Sequence, residues 1–418
     1  MLDKTGIKDV TVDLQKLIDE NNELYLDDGI YLVSNLFLHS NFKLILSDNA
    51  ILKGIENDNY KIIDTRVAGI NMPFFAAIIN VIDSSNVLIK GGKIIGAGDY
   101  FYEKYWGKTT KDGMRKKYDE LGLRWACDYD CKRPRNMLIQ NSSNIKIEDT
   151  KFYSSGFWNL HILYSSNVIV DNVYIKSDSK IAPSTDGIDI DSSHDCKIMN
   201  SYISTNDDSI SLKSGRDMDG IRTNIPTYNI KIENIEFDLG YGISIGSELS
   251  AGIYDIDIKN CKFHNTDTSF RIKSSQKRKG YVKNINVENI ECENVKYLIH
   301  IFTDWNRLYN ECKIKNTDIP IQDYWYKLIE DVPNDIPDTE ISDLYFNNIK
   351  SKNIDNKISR IFTIVGLESN KISNLFFENL DINMNEYGII KNAKINVINS
   401  KLNYKENYIR ENDDFDNR

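Results

Sequence analysis

No stretch of the 418-residue chain approaches twenty consecutive apolar residues, so no membrane-spanning helix is expected. Basic residues are outnumbered, 52 against 62 acidic, which gives a net charge of -10. A nucleic-acid partner is therefore not expected, because phosphate binding needs a basic face. Acidic substrates are still allowed if cations gather locally. Proline is scarce, with 7 residues, and alanine is sparse, whereas Ile, Asn, Asp, Lys and Tyr are abundant. That balance favours β structure over a helix bundle. The six cysteines are scattered. Cys127 and Cys131 lie close, but no second pair or neighbouring histidine completes a zinc site, so reduced, buried thiols are expected. The start, "MLDKTGIKDVTVDLQKL", has no basic segment leading into an apolar run. A cytoplasmic location is expected on that ground, or a secreted one if a leader has been trimmed away.

Internal repetition dominates what is present. "SSNVLIKGGKI" from Ser84, "SSNIKIEDTKF" from Ser142, "SSNVIVDNVYI" from Ser165 and "SHDCKIMNSYI" from Ser193 share one plan, and "IYDIDIKNCKF" and "ISNLFFENLDI" continue it from Ile253 and Ile372. Each has Asn or Asp before a short alternating run, then a turn residue, then a second run. Alternation with period two means strands with one buried face. Asn, Asp and Gly between the runs mean turns that accept left-handed backbone. The marker recurs at Asn144, Asn167, Asp195, Asn229, Asp255 and Asn284, in steps of 23, 28, 34, 26 and 29 residues. Coils of that length predict a right-handed parallel β-helix, an all-β solenoid. A single domain over residues 1–403 is expected, with a polar tail at 404–418. "TVDLQKLIDE" reads as a capping helix with Val12, Leu14, Leu17 and Ile18 on one side. Two insertions, about 98–136 and 303–339, break the period. They carry Trp106, Trp125, Tyr129, Trp305 and Trp325 among cations such as Arg124, Arg133 and Arg135. As a set these residues suit sugar stacking and carboxylate recognition.

The segment "STDGIDIDSSHDCKIMNSYISTNDDSISLKSG" holds the chemistry. Asp186 stands about one coil before the doublet Asp207-Asp208. On one face, three acids in adjacent coils could flank a glycosidic bond with a water between them, at the roughly 6.5–9.5 Å that inverting hydrolysis uses. The carboxyl with the most like-charged neighbours retains its proton and becomes a general acid. Downstream, Arg271 and Lys273 alternate around Ile272 and so point to one side of a strand, where they could hold a substrate carboxylate.

"STDGIDIDSS", "NDDSISLKSG", "GYGISIGSE" and "FRIKSS", in this order and spacing, resemble the signature blocks of the polygalacturonases, glycoside hydrolase family 28. The resemblance implies a pectin-degrading right-handed β-helix that needs no metal or other cofactor. It implies Asp207 as general acid, Asp186 and Asp208 as the pair activating water, and Arg271 and Lys273 as binders of a uronate carboxylate. Two positions depart from the pattern: Ser184 replaces Asn, and Tyr241 stands where a histidine is expected. His161, in "FWNLHILYSS", is the nearest candidate to replace that histidine, a packed barrel histidine being the other reading. Glu248 and the long aromatic loop resemble exo-acting bacterial members. Trp158 and Arg133 join Tyr241, Glu248, His161, Arg271 and Lys273 as substrate-binding candidates. The expected partner is a pectic polysaccharide or oligosaccharide, cleaved by inversion. Alternatives are a rhamnogalacturonan-type hydrolase, a β-elimination lyase on the same scaffold, and an inactive sugar-binding solenoid.

Overall fold

A computed structural model describes residues 2–109, 112–177, 183–315, 317–354 and 358–405. Residues 406–418 of the expected tail lie outside the described residues. The chain winds as a right-handed parallel β-helix. Its strands stack in register, and the antiparallel hairpin Ile62–Val67 with Ile70–Phe75 stands apart from them. The helix Thr11–Glu20 caps the first coil through Leu14 and Ile18, both fully buried. Val12, expected on that buried side, is 81% exposed. At 3.6 residues per turn it falls away from the Leu14–Ile18 stripe.

One parallel sheet carries the site. Its neighbours in order include Leu160–Leu163, Ile188–Asp191, Ile210–Lys213, Ile243–Ile245, Thr268–Lys273 and Tyr297–Phe302. Register is maintained along one column: Leu160 pairs with Ile188, Ile188 with Ile210, Ile210 with Ile243, and Ile243 with Phe270. These side chains fill the barrel core. Because successive residues face opposite ways, the next column points outward: His161, Asp189, Ser211, Ser244, Arg271 and His300. An apolar column inside therefore dictates a polar column outside.

The corners fix this register. Asn144, Asn167, Asp195, Asn229, Asp255 and Asn284 all adopt left-handed backbone, with φ between 51° and 56°. Their side chains bond from coil to coil. Asn167 Nδ2 donates to Asn144 Oδ1 at 2.5 Å, Asn144 Nδ2 to Asn86 Oδ1 at 3.1 Å, and Asn284 Nδ2 to Asp255 Oδ1 at 3.0 Å. A serine ladder runs beside it. The amides of Ser84, Ser142 and Ser165 donate to the hydroxyls of Ser142, Ser165 and Ser193 at 3.1, 3.1 and 2.9 Å. The recurrent Ser-Ser-Asn thus supplies both the inward hydroxyl and the left-handed turn.

The insertions fold as short helices, Gly98–Trp106, Gly113–Glu120 and Arg124–Asp130 in the first, Arg307–Asn310 and Asp323–Ile329 in the second. They meet above the sheet. Trp125 packs edge-on against Trp325 at 5.1 Å, and Asp130 accepts from Tyr118, Tyr324 and Trp325. Trp125 and Trp325 are buried in these contacts, and Trp106 is buried under the Arg133 guanidinium. Most of the insertion aromatics thus pack the loops onto the barrel, contrary to the expectation that the set serves sugar stacking. An indole sealed at a helix–helix contact has no free face.

Asn167→Val should lower the unfolding free energy by about 2 kcal/mol or more, since a β-branched side chain is strained in left-handed backbone and the ladder bond is lost. Asn167→Gly, which keeps the backbone and loses only the bond, should lower it by about 1 kcal/mol. Urea unfolding checks both, and equal effects would contradict the backbone argument.

Candidate active site

Asp186 follows the turn into the strand Ile188–Asp191, and Asp207-Asp208 occupy the equivalent turn before Ile210–Lys213, one coil on. Stacking brings one carboxylate oxygen from each of Asp186, Asp207 and Asp208 within 4.8 Å of one another. That is tighter than the separation expected for acid and base flanking a water. Two of the acids are consecutive in sequence and the third lies a single strand spacing away, about 4.8 Å, so the trio cannot spread.

A cleft of about 160 Å³ surrounds them. Its floor is Asp186, Asp207, Asp208, Lys213, Arg271 and Lys273. Phe157, Trp158, Ser184, Tyr241, Ser247 and Glu248 line its sides. The first insertion contributes Arg124 and Asp128, the second Trp305, Asn306 and Tyr309, and the hairpin contributes Ala68. Trp158, Tyr241, Glu248, Arg271 and Lys273 are therefore brought together as the sequence suggested.

The three acids differ electrically. Burial alone would raise Asp208, but Lys273 and Arg271 outweigh it and hold the carboxyl well below the usual carboxylate range. Lys273 Nζ lies 2.7 Å from Oδ2; Arg271 bonds Oδ1; Ser244 and Ser211 hydroxyls add donors at 2.7 and 3.3 Å. Four donors occupy the four lone-pair sites of this carboxylate. Asp207 is raised by burial and then by the adjacent Asp208 charge. It is half-buried, faces the cleft, and accepts from the Ser184 amide at 3.2 Å. Asp186 is raised well above its usual range by burial and then by Asp189.

Lys213 and Asp189 are site residues that the sequence reading missed. Lys213 is 3% exposed. Its ammonium lies 2.8 Å from Asp189, 3.3 Å from Asp186 and 4.0 Å from Glu248, and 3.7 Å from the centre of the Trp158 ring. Burial pushes Asp189 up to about 7 against the pull of Lys213. The alternation in "ISLK" puts Lys213 outward two residues after Ser211, the same signal that located Arg271 and Lys273.

Two candidates are corrected. His161 is fully buried beneath the cleft, edge-on to Trp158 at 4.9 Å, with Nε2 3.6 Å from Asp191. Burial lowers its pKa to about 3, so it stays neutral and does not replace a catalytic-site histidine. Arg133 is also fully buried, stacked 4.3 Å from the Trp106 ring and 4.9 Å from Phe157. It anchors the first insertion and does not line the cleft. His161 stands in an outward column, in register with Asp189, yet is covered by Trp158, and Arg133 is part of the insertion itself. Tyr241, in the expected histidine position, lies under the Arg271 guanidinium at 4.2 Å.

By position alone Asp186, Asp207 and Asp208 could ligate a cation. The donor set does not suit one. Asp208 is saturated by protein donors, and Lys213, Arg271 and Lys273 already supply positive charge at the place a metal would take.

Comparison with known proteins gives a consistent match. The family described as Glycosyl hydrolases family 28 matches residues 71–335. A probable polygalacturonase of Vitis vinifera is 27% identical over 307 residues, covering 71% of this chain and 58% of its own length. The match thus spans less than two thirds of that relative. An endo-polygalacturonase of Pectobacterium parmentieri is 26% identical over 324 residues, covering 73% and 74%. Among solved structures, a hyperthermoactive exopolygalacturonase from Thermotoga maritima superposes with a TM-score of 0.75 at 23% identity, over 96% of this chain and 89% of that one.

Lys213→Met should destabilise the fold by about 3 kcal/mol, the usual consequence of stranding buried charge. Adding Asp189→Asn should recover much of the loss; simple additivity in urea unfolding would contradict the pairing. Asp189 binds its proton more tightly when folded. It therefore withdraws stability as pH rises from about 4 to about 7. Asp189→Asn should lessen the fall in stability across that window, leaving the share that Asp186 and Asp207 contribute, and an unchanged slope would speak against the shift.

Proposed function

The chain belongs to family 28 of the glycosyl hydrolases, and from that premise we propose that it hydrolyses galacturonate-containing pectic chains or oligosaccharides from one end. The observation that carries the reading is the half-buried Asp207 carboxyl, raised by burial and by Asp208, beside an Asp208 held ionised by Arg271 and Lys273. A carboxyl that keeps its proton next to a fixed negative charge is a general acid for the departing glycosidic oxygen. The Asp208 charge also stabilises positive charge developing on the sugar. With its lone pairs engaged, Asp208 is a poor nucleophile, which favours attack by water over a covalent intermediate and hence inversion, even though the acids lie closer together than the roughly 6.5–9.5 Å usual for that outcome. Asp186, in its ionised form, is the acceptor for the water's proton: Lys213 lies on one of its oxygens and favours that form against burial, and the second oxygen is left for the water.

Arg271 and Lys273 retain unused N–H donors, so they can bridge Asp208 and a uronate carboxylate. End-wise cleavage is supported by the shape of the cleft. One side is closed by Arg124, Asp128, Asn306 and Tyr309 of the two insertions. On the other, Tyr241 is shared with a second depression of about 300 Å³ lined by Asn206, Leu239, Gly240, Asp267 and Lys296. In this reading a chain continues past Tyr241 and stops at the insertions. The relatives named above as polygalacturonases support the same substrate class.

Asp207→Asn should reduce turnover of oligogalacturonides by about 10³-fold while melting temperature and substrate binding stay close to wild type. Wild-type activity should fall on the alkaline side as Asp207 loses its proton, and that limb should shift with Asp207 variants. Product sizing should find monosaccharide alone, and proton NMR of the first product should find the anomer opposite to the substrate's. A ladder of lengths would contradict end-wise cleavage, and a retained anomer would contradict inversion.

A further inference from the structure

We propose that Glu248 is a specificity-determining residue that reads a free hydroxyl on the terminal ring and so restricts the closed side of the cleft to a non-reducing chain end. The inference rests on the reading of this site as an end-wise hydrolase of galacturonate chains. Glu248 follows the strand Ile243–Ile245 and is 5% exposed, with that remnant facing the cleft. Among the described residues no hydrogen bond to its carboxylate is found, and Lys213 stands off at 4.0 Å. The other acids lining the cleft, Asp128, Asp186, Asp207 and Asp208, each have a close protein donor. An acid this buried, aimed into a cleft without a donor, is set for a donor that arrives with the substrate.

Its position is built. Gly69, in the hairpin turn at φ +84°, gives way to it: a Cβ there would come 2.8 Å from Glu248 Cγ and 2.4 Å from Arg216 Cβ. Arg216 is in turn held by Tyr129 at 2.9 Å and by the Tyr309 carbonyl at 2.8 Å, one residue from each insertion. Glu248 therefore belongs to the closed wall.

The same geometry fixes which end of the chain it meets. Asp207 lies toward the open side, where the Tyr241 amide donates to its carbonyl at 3.0 Å. Asp186 lies toward Glu248, the two acids linked through Lys213. The departing oxygen is protonated from the open side, so the ring that keeps the attacked carbon sits beside Glu248. That ring is the non-reducing end. A carboxylate accepts hydrogen bonds and cannot donate them. A terminal hydroxyl donates to it, whereas the same oxygen linked in a chain has no proton to give and leaves Glu248 buried and unpaired. Sites built to bond a hydroxyl reject analogues lacking it far more strongly than apolar pockets reject a missing methylene.

The test compares trigalacturonate with the same trimer methylated at the terminal oxygen that a linked residue would use. Wild type should cleave the capped trimer with kcat/KM lower by about 10²-fold or more. Glu248→Gln, whose amide can donate to an ether oxygen, should cleave trigalacturonate about tenfold more slowly and keep only about a threefold preference. Equal cleavage of both trimers by wild type overturns the inference. So does a Glu248→Gln variant with the wild-type preference, since a purely steric wall would behave that way. The wild-type comparison needs no variant to fold. Wild type that cleaves neither trimer but hydrolyses another pectic chain overturns the galacturonate reading itself, a distinct result with no preference to compare.

Discussion

Coil-to-coil register is the constraint on which this molecule depends. Each site strand contributes one column to an isoleucine-rich interior and the neighbouring column to the outer wall, so a slip of one residue would exchange the two. The left-handed corners at Asn144, Asn167, Asp195 and Asn229 prevent the slip, because each side chain bonds its counterpart in an adjacent coil. Asp186 meets Asp207 and Asp208 only because Ile188 pairs with Ile210. Arg271 reaches Asp208 only because its strand is stacked through Ser244, which itself bonds the same carboxylate. The chemistry is assembled by a scaffold that knows nothing of substrate.

Within that frame the electrostatics form two linked groups. Asp208 with Arg271 and Lys273 is a fixed negative charge fully compensated by protein. Asp186 and Asp189 with Lys213 form a group with two acids for one cation, and both acids are raised. Asp207 stands between the groups and is raised by burial and by the first of them. Cations that would read as substrate binders therefore have a prior task, which is to set the ionisation of the acids. The positive character left to the cleft is what remains of their donors. Burial of so many charges opposes folding, and the long regular solenoid on either side offsets it with apolar area and ladder bonds.

The repeats, the architecture, the three acids and the Arg-Ile-Lys strand were legible because each obeys a period. Lys213 obeys it too and could have been found by the same alternation. The walls of the cleft do not. Tyr129 and Tyr309 meet at 3.3 Å across 180 residues of sequence, and Trp125 meets Trp325 across 200. Nothing periodic announces such contacts. The same gap explains Arg133 and His161. The Trp158 ring over His161 and the Trp106 and Phe157 rings around Arg133 leave no periodic trace, and a residue under such a cover becomes core. Aromatic abundance in the insertions misled for the same reason: rings packing helix to helix and rings offered to a sugar look alike in sequence.

That division of labour follows from the geometry of a solenoid. Identical coils generate a groove that is uniform along the axis, and a uniform groove cannot distinguish the end of a polymer from its middle. Closing one side requires atoms that do not repeat. Here they are supplied by two excursions and a hairpin that converge on Arg216, a buried cation bonding Tyr129, the Tyr309 carbonyl and Asp217, with the Gly69 carbonyl accepting from its amide. The non-repeating contacts are thus tied at one point on the outer wall, beside Glu248. The three acids thus come from the regular part of the chain, and the residues that flank them beside Arg216 come from the irregular part.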